Sequence, residues 1–241
     1  MVIGVVAGFL NVVGGGGSLM TLPAMIFMGL PPHVANATNR IAILWQNVFA
    51  IHRFRKAGVV EMKYSVYLGL AAVPGAVIGG WLAVDIKGEL FTKLPSVIMV
   101  IVGVVILMGS SGKGKGKEAA NSSGKRLWLS IALFFLIGLY GGFIHAGVGF
   151  IIILVLEKLM NAPMARINSV KVIVAFVYTL AVVMVFIFRN AIQWQYGLTL
   201  ALGTSAGGWL GSHFSVKKED KWIKRILFLT ILGLSVKLWF Y

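Results

Sequence analysis

Four consecutive glycines, Gly14-Gly15-Gly16-Gly17, followed by Ser18, stand between two apolar runs at 1–13 and 19–30. No other stretch narrows the possible folds so much. Glycine brings no side chain to a core and loses the most backbone entropy on ordering. In lipid, such a break leaves backbone N–H groups unsatisfied unless protein or a water-filled cavity surrounds it. The run therefore reads as irregular backbone lining a site, with a plain flexible turn between two short helices as the alternative. Its free N–H groups, at the start of a helix beginning near Ser18, favour an anion.

The rest of the chain says that the surroundings are lipid. Only 12% of the 241 residues are charged and 59% are hydrophobic, against roughly 25% charged in soluble domains. Runs approaching the ~20 apolar residues of a spanning helix recur throughout. They lie at 34–51, 64–84, 94–109, 165–188, 196–216 and 226–241, with a longer run, 127–156, broken by Gly138, Gly141, Gly142, His145, Gly147 and Gly149. The net charge of +15 sits in short clusters between these runs. That placement fits cytoplasmic loops of a multi-pass protein of the cytoplasmic membrane, not a nucleic-acid partner. The absence of cysteine excludes disulfides and thiolate metal sites, and no metal or cofactor is expected. The first run lacks a basic n-region and a clear cleavage site, so it does not read as a cleaved signal peptide. Trp128, Trp194, Trp222 and Trp239 fall near predicted span ends, where belt anchoring accounts for them.

A polar, glycine- and lysine-rich stretch at 110–126 reads as a flexible cytoplasmic linker between two halves, 1–109 and 127–241. The halves look like repeats. Gly8-Phe9 matches Gly142-Phe143, and the sequence 35–40 lines up with 165–170, leaving Lys171 one place beyond the counterpart of Arg40. Tyr64, Leu68, Leu70, Gly75 and Gly79 coincide with Tyr196, Leu200, Leu202, Gly207 and Gly211 at a constant offset. Loop charges choose the topology. If 1–30 and 127–156 each cross once, the basic residues divide almost evenly between the two sides. If each enters and leaves on one side as a bent hairpin, sixteen fall on one side (53–63, 113–126, Lys158, Arg166, 217–225) and three on the other (Lys87, Lys93, Arg189). The second arrangement obeys the positive-inside rule and makes the halves inverted. The expected fold is an all-α polytopic membrane protein of two inverted repeats, each a glycine-broken hairpin followed by about three transmembrane helices. Opposed broken helices of this kind place a binding site near the midplane.

Candidate binding residues follow from that frame. Arg40 and Lys171 are cations within apolar spans, without an acidic residue in the central part of any span. An anionic substrate would balance them, with snorkelling to an interface as the alternative. Thr38, Asn39, Asn168 and Ser169 offer neutral hydrogen-bonding groups to substrate oxygens or to neighbouring helices, and Gln46-Asn47, which has no polar counterpart at 176–177, is a weaker candidate. At the first break the candidates are Gly14, Gly15, Gly16, Gly17 and Ser18; at the second, His145, Gly147 and Gly149. His145 is the candidate for proton coupling, with helix packing as the competing role.

The pattern Gly4-x3-Gly8-x5-Gly14-Gly15-Gly16-Gly17-Ser18-Leu19, then Pro23, Gly29 and Ala35-x-Ala37-Thr38-Asn39, resembles the sulfite exporter TauE/SafE family of membrane permeases. The resemblance implies transport of small sulfur-containing anions, such as sulfite or organosulfonates, across the cytoplasmic membrane, more often outward. The expected partners are a small anion and the bilayer, with a homodimer left open. An anion channel is the alternative. An intramembrane enzyme is disfavoured, because the spans hold no acidic pair, cysteine or HExxH cluster.

Overall fold

The computed structural model describes residues 1–85, 124–160 and 162–226. The expected spans at 94–109 and 226–241, most of the linker and Trp239 lie outside the described residues. Eight helices lie wholly within the described residues: α1 (Val2–Val13), α2 (Ser18–Phe27), α3 (Pro32–Lys56), α4 (Met62–Asp85), α5 (Gly124–Phe143), α6 (Val148–Leu159), α7 (Met164–Phe188) and α8 (Trp194–Lys217); residues 220–226 are helical as well. There is no strand among them. The fold is all-helical, as the hydropathy pattern requires. Helix α5 begins at Gly124, three residues before the expected start of the second half at 127.

Helices α4 and α7 are long and apolar enough to cross a bilayer by themselves. Helices α3 and α8 are as long, at 25 and 24 residues, but carry buried polar groups. The long helices turn large apolar side chains outward, among them Trp45, Phe49, Leu70, Trp81, Met184, Leu202 and Trp209. In water such a surface would be an aggregation liability; in a bilayer it is the lipid face.

Glycine stripes set the packing. Gly4 and Gly8 of α1 lie against Leu200, Gly203 and Thr204 of α8, and Gly207 and Gly211 of α8 lie against Val5, Phe9 and Val12. The contacts advance together along both helices, so α1 and α8 are parallel. Between α4 and α5 the same arrangement recurs, with Gly75 and Gly79 facing Phe135, Leu139 and Phe143, and Gly138 and Gly142 facing Ala72 and Ala76. A Cβ at most of these positions would strike backbone. Small residues four apart let the helix backbones approach, which drives association in lipid.

Other contacts fix the remaining directions. Helix α3 runs parallel to α8, from Thr38 beside Gly197 to Arg53 beside His213. Helix α4 runs parallel to α7, from Gly69 at Val177 to Gly80 at Val182. Helix α3 is antiparallel to α7: Arg40 lies over the Phe186 ring, and Ser169 donates to the Val59 carbonyl at the opposite end. Thr21, in the first turn of α2, donates to Asn39 at 2.8 Å, and the chain then returns through Gly29 (φ +93°) to the start of α3. Helix α2 therefore doubles back on the course of α1.

These directions collect charge at one end of the bundle. The ends of α3, α6 and α8 meet the starts of α4 and α7 there, tied by Arg166–Glu61 at 3.2 Å, Lys224–Glu157 at 2.9 Å and Arg53–His213 at 3.0 Å. Asp85 and Arg189 pair at the other end, where Arg189 also covers the Trp81 ring.

Candidate functional site

Helices α1 and α5 reach the interior from opposite ends and stop there. A residue with positive φ turns the chain at each break, Gly15 (φ +97°) just after α1 and Gly147 (φ +72°) at the N-cap of α6. That region is open to glycine and costly for other residues. The breaks touch: a Cβ on Gly15 would strike the backbone of Gly149, and one on Gly149 would strike Gly15. Two helix C-termini and two helix N-termini thus converge in the core, as the sequence suggested for opposed hairpins.

Helix C-termini present unpaired carbonyls with partial negative charge. Here each is met by a cation from the opposite half of the chain. Lys171 Nζ donates to the carbonyls of Asn11 (3.1 Å) and Val12 (2.6 Å) at the end of α1, and to Asn168 Oδ1 (2.9 Å). Asn168 Nδ2 donates to the Val13 carbonyl at 3.2 Å. Arg40 donates through one guanidinium nitrogen to the Gly142 carbonyl (2.9 Å) at the end of α5, and through the other to His145 Nδ1 (3.0 Å). Asn36 Nδ2 donates to the Phe143 carbonyl at 2.9 Å. Arg40 is fully buried and Lys171 is 3% exposed. Neither snorkels. Their compensation comes from backbone carbonyls, a partner that hydropathy does not reveal.

The register also differs from the sequence alignment. Helices α3 and α7 each hold 25 residues and start 132 positions apart, which pairs Asn36 with Asn168. Arg40 lies four residues after Asn36 and Lys171 three after Asn168, so both cations occupy the same helix face as their asparagines.

A small recess opens beside the meeting point, lined by Asn11, Gln46, Asn47, His145, Val148, Gly149, Ile152, Lys171, Val172 and Ala175. Gln46 accepts from Asn11 (3.3 Å) and donates to Asn47 Oδ1 (3.4 Å). Asn47 Nδ2 is buried without a partner, as is Ser18 Oγ at the start of α2. A buried unpaired donor costs about 1–3 kcal/mol and marks a place where a ligand acceptor fits. Arginine cannot accept, so its bond makes His145 Nδ1 the acceptor and puts the proton of the neutral ring on Nε2. Tyr178 Oη also approaches Nδ1, at 3.0 Å.

Of the residues singled out in the sequence, Gln46, His145, Gly149 and Lys171 line this cavity. Gly14, Gly15, Gly16, Gly17 and Ser18 are buried at the first break, and Gly147 caps α6. Among the described residues no backbone acceptor serves the N–H groups of Gly16, Gly17 and Ser18. Asn39 packs on Thr21 and leaves its Nδ2 unpaired. Thr38 and Ser169 turn elsewhere. Thr38 accepts from the Gln193 N–H at 3.0 Å, and Ser169 donates to Val59 and Arg166 carbonyls at the basic end. Asn11 and Asn36 were not among the proposed ligands, and Asn47 entered only beside Gln46. Asn11 carried a signal, a lone amide in an apolar run one turn before the glycines. Among the described residues no group of three or more His, Asp or Glu side chains could hold a metal ion.

A family model described as sulfite exporter TauE/SafE matches residues 1–238. A "probable membrane transporter protein ORF9" from Sinorhizobium sp is 27% identical over 97% of this chain and 88% of its own length. The "probable membrane transporter protein YfcA" of Escherichia coli K12 is 21% identical, covering 98% and 87% of the two chains. YunE of Bacillus subtilis 168, described in the same words, is 20% identical over 99% and 95%. No solved structure matches the chain.

Proposed function

Since the chain belongs to the sulfite exporter TauE/SafE family, we propose that it is a secondary transporter of the cytoplasmic membrane that carries small sulfur-containing anions, such as sulfite or organosulfonates, outward. The observation that carries this reading is the polar cavity at the meeting of the two breaks. Its electrostatics suit an anion. The two cations neutralise the carbonyl ends of α1 and α5, while the N-termini of α2 and α6 keep their positive ends toward the centre. No carboxylate lines the cavity, and Asn47 Nδ2 waits for an acceptor.

The helix directions support an inverted repeat. Helices α1, α3 and α8 point one way and α4, α5 and α7 the other, so each element opposes its counterpart 130 or 132 residues away. The crowding of basic residues at one end supports placing that end in the cytoplasm. Each broken hairpin then enters from a different side and meets the other near the midplane, the arrangement of alternating-access carriers.

The test is ligand-induced thermal stabilisation of the purified protein. Sulfite and methanesulfonate should raise the melting temperature, and acetate should not. Asn47→Asp keeps the size but replaces the free donor by an acceptor. It should weaken sulfite binding by roughly 10- to 150-fold, the equivalent of a charge-assisted bond of about 1.5–3 kcal/mol. Equal stabilisation by acetate, or unchanged sulfite affinity in Asn47→Asp, would remove the cavity from the function.

A further inference from the structure

Lys171 and His145 are the ionisable groups of the cavity lining, and their hydrogen bonds give them opposite freedom to exchange a proton. His145 has none at Nδ1, because Arg40 donates into it and a ring N–H there would face a guanidinium N–H. Lys171 is different. Its nitrogen has three acceptors, the Asn11 and Val12 carbonyls and Asn168 Oδ1, at 3.1, 2.6 and 2.9 Å. Three acceptors need three N–H groups, which only the ammonium supplies. A neutral amine offers two, and its lone pair must then face an oxygen lone pair.

We propose that Lys171 is the coupling group of the carrier. Its protonated form holds the C-terminus of α1 through its three hydrogen bonds and the anion through its charge, and loss of the proton releases both on one side of the membrane. In that step one Nζ–H bond breaks, the electron pair stays on nitrogen, and the proton passes to water in the opened cavity. Return of a proton from water regenerates the ammonium when the next anion binds. One proton therefore travels with each monovalent anion, and the cycle is electroneutral. Arg40 has no such freedom, since a guanidinium keeps its charge. The second break is the fixed member and the first the releasable one.

Helices α1, α3, α4, α5, α6 and α8 pack against α7, and Tyr140 of α5 is engaged, donating to the Ala146 carbonyl. The charged or titratable groups facing Lys171 are His145, within electrostatic range of both cations, then Arg40 on α3 and Tyr178 on α7 itself. The remaining His, Lys, Arg, Asp and Glu side chains described on these helices sit at their ends: His52, Arg53, Arg55, Lys56, Lys63, Glu157, Lys158, Arg166, His213 and Lys217 at the basic end, His33, Asp85 and Arg189 at the other. No described carboxylate reaches Lys171 to take over the exchange.

This inference rests on the cavity being an anion site, so the experiment has one arm that needs no anion. In that arm the stability of the anion-free protein is followed as pH rises from neutral toward the ordinary lysine range. The wild type should gain stability across this interval, because a Lys171 that exchanges its proton in the folded carrier gives it up at lower pH than the unfolded chain does. Lys171→Arg, which keeps a cation in both states through that range, should stay flat, and Lys171→Gln should be flat with pH as well. In the second arm, proteoliposomes are loaded with methanesulfonate, which stays ionised throughout, and proton and charge movement are recorded together. Wild type should move protons with the anion and build no potential; Lys171→Arg should lose the proton flux, and any remaining anion flux should carry charge. Identical pH profiles in wild type and Lys171→Arg, or unchanged proton flux in that variant, overturn the proposal. Absence of methanesulfonate flux in the wild type, with the pH difference intact, would instead count against the anion site.

Discussion

The two breaks at the centre of the molecule reach the same geometry by different chemistry. At the first, the turn is all glycine, Gly15 supplies the positive φ, and α1 closes on itself through the Leu10 carbonyl, which accepts from Gly14 and Gly15 at 2.7 and 2.9 Å. Its carbonyl end is held from outside by Lys171 and Asn168. At the second, a single glycine turns the chain, and side chains hold it from within and without. Tyr140 donates to the Ala146 carbonyl at 2.6 Å, while His145 sits between Arg40 and Tyr178. The contrast teaches that a backbone turn without side chains depends on its cap. One braced by a buried hydrogen-bond network is rigid in its own right.

That contrast can be broken first at the caps. Arg40→Leu leaves the Gly142 carbonyl without a donor and His145 Nδ1 with Tyr178 alone in a sealed site, and loses volume besides. It should cost roughly 3–6 kcal/mol in denaturant unfolding of the purified protein. Lys171→Leu orphans acceptors beside the cavity, where water can replace the ammonium, and should cost roughly 1–3 kcal/mol. Equal losses would mean that both caps are equally sealed.

The glycines give the next largest effect. Gly15→Ala combines a left-handed conformation with a Cβ driven into Gly149. It should cost roughly 2–5 kcal/mol, the sum of backbone strain and overpacking. Gly147→Ala carries the backbone strain of its left-handed φ, about 1–2 kcal/mol. Thermal unfolding of the two variants in one detergent would compare them, and a reversed order would mean that the breaks are not in contact.

The smallest effect sharpens the account of the second break. Tyr140→Phe removes one hydrogen bond and keeps the ring, for a loss of about 1 kcal/mol in the same unfolding measurement. A loss no larger than scatter would leave Arg40 and His145 as its only braces.

Much of this architecture was legible in the sequence. Hydropathy located α3, α4, α7 and α8 to within a few residues at each end, because lipid exposure selects apolar residues along the whole length of a helix. Gly14–Gly17 and Gly147 announced the breaks, since positive φ is a local demand that glycine meets locally. The grouping of basic residues at one end followed from loop composition alone. Reading the α3–α7 register two residues short was a limit of aligning apolar sequences, where many offsets match almost equally well.

What the sequence could not show was what balances Arg40 and Lys171. Their acceptors are helix-end carbonyls at Gly142, Asn11 and Val12, separated from them by 102, 160 and 159 positions. Every residue has a carbonyl, so no residue type marks one as a cation's partner. A carbonyl becomes free only where a helix stops, and available only where packing brings that stop to a buried charge. The sequence placed two cations and two breaks in the membrane; the tertiary structure decided which cation caps which break, because that choice is made by helices that pack across the halves of the chain.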